Sequence, residues 1–243
     1  MSAVAGPAVL AAQIDPSFFE DRSNPGCVQE NGLFCFDWAA DNIDRYVDPT
    51  LQHLYLVTVS VVIGFAVAFG LALLSHRHRW LQPPLLAGTG VLYTLPSLAF
   101  FFLLLPITGR GSDTAIIALS AYTLQIIFRN TVTGLSGVPA GVKDSARGMG
   151  LTDRQLLWRV ELPLALPEII AGLRIATVST VAIATLAVFA GGGGLGDPIY
   201  QQLTFKTNIL IGGGIAVGMA ICFDLALLAL QRLRTPWLRA AAT

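Results

Sequence analysis

Three sets of residues carry types and spacings with chemical meaning. Cys27 and Cys35 stand with seven residues between them in an acid-rich segment. In an oxidising compartment they would close a disulfide; otherwise they are two free thiols or a weak metal pair. No Cys-x-x-Cys or histidine cluster accompanies them, so no metal site is expected. His76 and His78 alternate with Arg77 and Arg79 at the edge of an apolar block. That pattern suits interfacial anchoring better than metal binding or acid–base work. Arg174 and Asp224 each fall inside an apolar block. Arg174 lies about ten residues into its block and Asp224 about eight before the end of its block, so at 1.5 Å per residue both lie roughly 10–15 Å from the inner surface. An unpaired charge at that depth in a membrane is costly, so their matched depth predicts an Arg174–Asp224 ion pair. No nucleophile–base constellation appears. The run Gly191-Gly192-Gly193-Gly194-Leu195-Gly196 lacks the Lys-Ser/Thr that a phosphate loop requires, and no Walker A pattern occurs in the 243 residues. The chain is therefore expected to be non-catalytic and to bind no cofactor itself.

The elements that must position these residues emerge from composition. The chain is 54% hydrophobic and 12% charged, with mean hydropathy +0.66. A soluble domain carries about 25% charged residues. The apolar residues fall in blocks of roughly 20, which is the length that crosses a hydrocarbon layer. The blocks predict an all-α membrane protein with about five transmembrane helices, at 51–74, 81–107, 114–135, 164–190 and 209–230. Pro83-Pro84 and Pro96 interrupt the second block, and Pro96, Pro106 and Pro167 should kink or end helices. Abundant Gly, Ala, Ser and Thr suit close helix packing.

The chain divides into an acidic N-terminal segment over 1–50, a membrane domain over 51–235 and a tail over 236–243. Residues 1–50 hold eight acids and two bases; the remainder holds seven acids and thirteen bases. An acidic head on a basic membrane body argues against nucleic-acid binding. Counting by loops, nine bases fall in the 75–80 loop, the 136–161 loop and the tail, against four in the other set. The positive-inside rule puts the first set in the cytoplasm, with the N-terminus outside and the C-terminus inside. That placement favours the Cys27–Cys35 disulfide. Met1–Ala12, with no basic n-region, reads as a ragged terminus and less well as a cleaved signal. Phe34, Phe36, Trp38 and Tyr46 are expected to lay the head on the membrane interface.

The segment 136–163 is too long for a simple connector. Small or apolar residues at Ala146, Met149, Leu156, Leu157 and Val160 predict an apolar face. Gly148 and Gly150 mark a turn, and Thr152-Asp153 caps a second short helix running through Arg159. Pro163 and Pro167 then redirect the chain into the fourth span. The result is a cytoplasmic helix–turn–helix lying on the membrane.

This segment resembles the signature of permease subunits of binding-protein-dependent ABC importers. That signature runs Glu-Ala-Ala, three residues, Gly, nine residues, Ile-x-Leu-Pro. Here Asp144-Ser145-Ala146 is followed after Arg147-Gly148-Met149 by Gly150, and after nine more residues by Val160-Glu161-Leu162-Pro163. Asp for Glu, Ser for Ala and Val for Ile are the departures. Thr94-Leu95-Pro96-Ser97-Leu98, Arg129-Asn130-Thr131 with Gly134, and the Gly191–Asp197 run resemble the osmoprotectant branch, over about residues 50–232.

The resemblance implies a type I ABC importer permease fold, with a cytoplasmic coupling helix, in a bacterial cytoplasmic membrane. It implies import of glycine betaine, choline, carnitine or a similar compound. A permease for another small solute is the alternative, and a secondary transporter or a membrane adaptor fits less well. The implied partners are an ABC ATPase pair that uses the ATP, an external substrate-binding protein and a second permease, identical or paralogous. Asp144, Ser145, Ala146, Arg147, Gly150, Leu151 and Pro163 would couple the spans to the ATPase. Ala146 and Gly150 would permit close approach, with Asp144, Arg147 and Arg154 at the rim.

Overall fold

The computed structural model describes residues 25–236. The expectations for Met1–Ala12 and for the tail beyond 236 lie outside the described residues, as do the head acids Asp15, Glu20 and Asp21 and the bases Arg22 and Arg239. The described residues fold into eleven α-helices, without a β-strand among them. Two short helices, α1 (Pro25–Gln29) and α2 (Phe36–Asn42), precede the long α3 (Val47–Arg77). Then come α4 (Gln82–Thr94), α5 (Ser97–Thr108), α6 (Ser112–Ser136), α7 (Ala140–Gly148) and α8 (Asp153–Leu156). The chain closes with α9 (Leu162–Ala184), α10 (Gly196–Gln201) and α11 (Lys206–Arg234).

Four stretches are each long and apolar enough to cross a membrane: 36–77, 112–136, 153–190 and 206–234. The fifth crossing is broken. Residues 79–94 and 97–108 meet at a bend of 98°. Pro96 has no N–H to give a helix and drives the residue before it out of helical backbone. Leu95 is accordingly extended, with φ −64° and ψ 132°. The carbonyl of Leu95 accepts from the Tyr122 hydroxyl at 2.6 Å. The break therefore leaves that group satisfied. The neighbours show that the bent pair is a single passage. At the head end of the bundle, Gln52 near the start of α3 donates to the Gly192 carbonyl, and Gly111 just before α6 donates to the Ala190 carbonyl. Helices α3 and α6 therefore start at the same end and run parallel. The chain between them must return across the bundle, and Thr89–Gln125, Tyr93–Tyr122 and Thr108–Thr114 trace that return in order.

The core obeys membrane rules, in which close approach replaces the hydrophobic drive. A Cβ on Gly64 would stand 1.7 Å from Thr123 Oγ1, so α3 and α6 touch there because glycine has no side chain. Ser120 donates to the Ser60 carbonyl at 3.2 Å one turn away. Around this seam Leu56, Val57, Phe101, Leu119 and Val181 are buried. His53 is fully buried, and both ring nitrogens have partners. Its Nδ1 accepts from the Leu195 N–H at 3.3 Å, and its Nε2 lies 3.1 Å from the Val181 carbonyl. The glycine-rich 191–196 turn is thus a joint that ties the head-side ends of α3 and α9.

One expectation for the head is corrected. Its described residues, 25–50, are largely helical and docked against the bundle. Trp38 and Tyr46 are 1% and 2% exposed, so they are core residues and not interfacial anchors. Trp38 packs edge-on against Phe205, with ring centroids 4.8 Å apart, in a cluster with Cys35 and Ile211. Hydrogen bonds from Asn31 to the Thr204 carbonyl, from the Cys35 N–H to Thr207 and from Tyr46 to Asn208 tie the head to the start of α11. The surface that buries these aromatics lies more than 160 residues along the chain. Phe34 and Phe36 do remain exposed.

Candidate functional site

At the opposite end of the bundle, α6 stops before Pro139 and the chain turns into α7. Helix α7 ends in a closed C-cap. The Gly150 N–H donates to the Arg147 carbonyl at 2.8 Å, and the Leu151 N–H reaches back to the Ala146 carbonyl at 3.2 Å. A cap of this kind satisfies the orphan carbonyls of a helix end. It requires a left-handed residue, and Gly150 supplies it with φ +86°. Thr152 then opens α8 with a full capping box. Its Oγ1 accepts from the Gln155 N–H, and Gln155 Oε1 accepts from the Thr152 N–H.

Beyond the capping box the structure differs from the expected helix–turn–helix. No second short helix stands apart, because residues 153–190 form one continuous helical stretch. Residues Leu157–Glu161 make a widened π-turn that carries α8 directly into α9. Pro163 and Pro167 do not redirect the chain. Pro163, just past the π-turn, and Pro167, further along α9, are both held within this continuous stretch. Gln231 of α11 donates to the Pro167 carbonyl at 3.2 Å.

The residues singled out from the sequence divide by exposure. Asp144, Ser145, Arg147 and Gly150 lie on the outward face of α7 and its cap. Leu151 and Pro163 are half-buried. Ala146 is 2% exposed and faces the chain's own interior, so its small size serves internal packing and not approach by an outside surface. Met149 also departs from expectation: it is 74% exposed and lies off the packed face, because the chain is already leaving the helix there. Arg147 lies 3.7 Å from Asp144 and 3.9 Å from Asp153. Exposed pairs of this kind are worth little individually.

Glu161 escaped the sequence reading. It occupies the unspecified position of Val160-Glu161-Leu162-Pro163, is 4% exposed and has both carboxylate oxygens engaged. Lys143 Nζ of α7 lies 3.0 Å from Oε1, and His76 Nε2 at the end of α3 lies 2.7 Å from Oε2. Lys143 also donates to the Leu135 carbonyl near the end of α6 at 3.3 Å. His76 is therefore a carboxylate partner, in place of the interfacial anchor expected for it. The available signal was an acid filling the unspecified position of that motif, just before the fourth apolar block. The cluster borders a cleft of ≈ 1250 Å³ between the end of α3 and α7, which Arg77, Arg79 and Arg154 also line.

Deeper in the bundle, Arg174 of α9 and Asp224 of α11 are brought together. Nε and Nη2 of the guanidinium donate to the two carboxylate oxygens at 2.9 Å each, and Nη1 reaches Gln231 at 3.4 Å. Cys27 and Cys35 are joined as a disulfide.

A bundle of five crossings with a short helix held outside it between the third and fourth defines a helical, multi-pass membrane protein. Residues 60–239 match the family of binding-protein-dependent transport system inner membrane components, and the chain belongs to that family. It is 39% identical over 189 residues to the glycine betaine/carnitine/choline transport system permease protein OpuCB of Bacillus subtilis (strain 168), covering 77% of this chain and 87% of that one. It is 39% identical over 198 residues to the carnitine transport permease protein OpuCB of Listeria monocytogenes, covering 81% and 91%. The osmoprotectant import permease protein OsmW of Salmonella typhimurium is 36% identical over 203 residues, covering 81% and 94%. In fold, the chain matches an inward-facing MetNI methionine ABC transporter structure with TM-score 0.70 at 22% identity, covering 78% of this chain and 96% of that one.

Proposed function

We propose that this chain forms the membrane pathway of an ATP-driven importer for an osmoprotectant such as glycine betaine, choline or carnitine. The observation that carries the coupling role is the outward face of α7. Asp144, Ser145, Arg147 and Met149 project beyond the bundle on a helix rigidly capped at Gly150. Such a face suits docking against an ATPase on a separate chain. The substrate class rests on the functions of relatives sharing 36–39% identity.

In this reading the α7 end is cytoplasmic. The excess of bases in its loops supports that assignment, and so does the disulfide at the far end, where thiols would be oxidised. An external binding protein would deliver substrate to the head end. A second permease subunit would cover α11, whose apolar surface is hardly buried and whose Gly213, Gly214 and Gly218 face open space.

The test is reconstitution in proteoliposomes with the partner ATPase and binding protein, followed by uptake of labelled choline, carnitine, glycine betaine and a panel of amino acids. ATP-dependent uptake of a quaternary ammonium compound is expected. Uptake that persists without ATP hydrolysis would reject the importer reading, and uptake confined to amino acids would reject the substrate class.

A further inference from the structure

The contacts at Glu161 link more elements than the backbone does. Through the chain alone, α7 is connected to the end of α6 on one side and to α8 on the other. The Glu161 carboxylate adds α3 to this set through His76, and it ties Lys143 of α7 to the π-turn that becomes α9. Lys143 in turn holds the Leu135 carbonyl of α6. The ends of three crossings thus converge on one buried acid and one lysine from the outer helix.

The physical character of the site makes it stiff. Glu161 is buried, so pulling Lys143 away would strand a charge in a poorly solvated place. The surface pairs that Arg147 makes with Asp144 and Asp153 are exposed and yield easily. A displacement of α7 therefore passes into the bundle at Glu161 more readily than it is absorbed there. The π-turn beneath it is a second sign, since such turns are rare and concentrate at functional sites.

We propose that Glu161 is a positioning residue that transmits movement of the coupling helix to the first, third and fourth crossings. The proposal rests on the coupling role assigned to α7. It is tested in the full transporter, with ATPase and binding protein in proteoliposomes, by measuring substrate moved per ATP hydrolysed.

Glu161→Gln keeps the shape and removes the charge. The ATPase should remain bound at the wild-type ratio and continue to hydrolyse ATP, while substrate moved per ATP falls at least about tenfold. Lys143→Gln and His76→Gln should each lower the same ratio. Wild-type transport per ATP in an assembled Glu161→Gln complex overturns the proposal. If Glu161→Gln does not assemble, the two partner variants decide: a lowered ratio in either supports the proposal. A wild-type ratio in both, or failure of all three to assemble, overturns it, the latter by making the cluster a folding element. Gly150→Val separates this failure from that of the coupling reading. If Gly150→Val uncouples while Glu161→Gln does not, the Glu161 role alone falls; if Gly150→Val transports normally, the coupling reading falls with it.

Discussion

Arg174 and Asp224, fifty residues apart in sequence, meet side-on in two parallel hydrogen bonds of 2.9 Å within the membrane-crossing part of the bundle. Both side chains are partly exposed on a groove between α9 and α11. Reversing either charge alone places two like charges at a depth where even one unmatched charge is unfavourable. Each single reversal, Arg174→Asp or Asp224→Arg, should lower the melting temperature of the detergent-solubilised protein by roughly 5 °C, the scale of one lost internal interaction in a chain of this size. The double swap should restore most of the loss. Thermal melts of the three variants check this, and absence of rescue would dissolve the pair as a structural unit.

Gly150→Val should leave membrane insertion intact and abolish transport. Gly150 holds φ +86°, and a Cβ there would meet open space, so the obstacle is backbone strain alone. A β-branched residue in that conformation strains the cap by about 1–2 kcal/mol. The strain is relieved by unwinding the last turn of α7, where Arg147 sits. Fluorescence size-exclusion should show a normal profile, whereas uptake should vanish with ATP hydrolysis retained.

The disulfide closes a short loop that carries Asn31, and Asn31 ties the head to Thr204 and Lys206. Replacing Cys27 or Cys35 by serine should lower stability by about 2–3 kcal/mol on the loop-entropy scale. Thiol alkylation of the denatured protein should label one cysteine, Cys222, before reduction and three afterwards. Labelling of all three without reduction would contradict the bond.

Asp197 sits in the first turn of α10, between the fourth and fifth crossings and outside the membrane-crossing stretches. Burial pushes its carboxyl above the ordinary carboxylate range, and the hydrogen bond from Gln201 only partly offsets this. An acid whose pKa rises on folding holds its proton more tightly in the folded state. Stability therefore falls as pH rises from the ordinary value of about 4 through the raised folded value. The ionised form costs stability at neutral pH, and that cost disappears below the ordinary value. Asp197→Asn still accepts from Gln201, so it should melt higher than the wild type at neutral pH. The gap should close as the pH is lowered toward about 4. Paired melts across a pH series provide the measurement, and a gap that does not change with pH would remove Asp197 as its source.

The membrane architecture was legible because hydrocarbon thickness imposes a length on every crossing. The blocks at 114–135 and 209–230 lie inside α6 and α11, with only the ends extended. Residues such as Pro96 and Gly150 were legible because each imposes a backbone geometry locally. Trp38 and Glu161 were misread or missed for the opposite reason. What buries Trp38 is Phe205, and what pairs with Glu161 includes His76, 85 residues earlier. No local period marks such contacts. The π-turn also hid, since the prolines after it gave the ordinary signal of a chain reversal while the tertiary setting kept the helix running.

The bend at Leu95–Pro96 bears on how the protein is made. Helix α4 has 13 residues and α5 has 12 residues. A segment needs about 20 to span the hydrocarbon alone. Neither half is sufficient for the insertion machinery to recognise as a complete crossing, so the two must enter together. The number of passages before α7 is odd when they succeed and even when they fail. A chain in which the pair failed to insert would cross twice and not three times before α7, and would present α7 on the opposite face of the membrane.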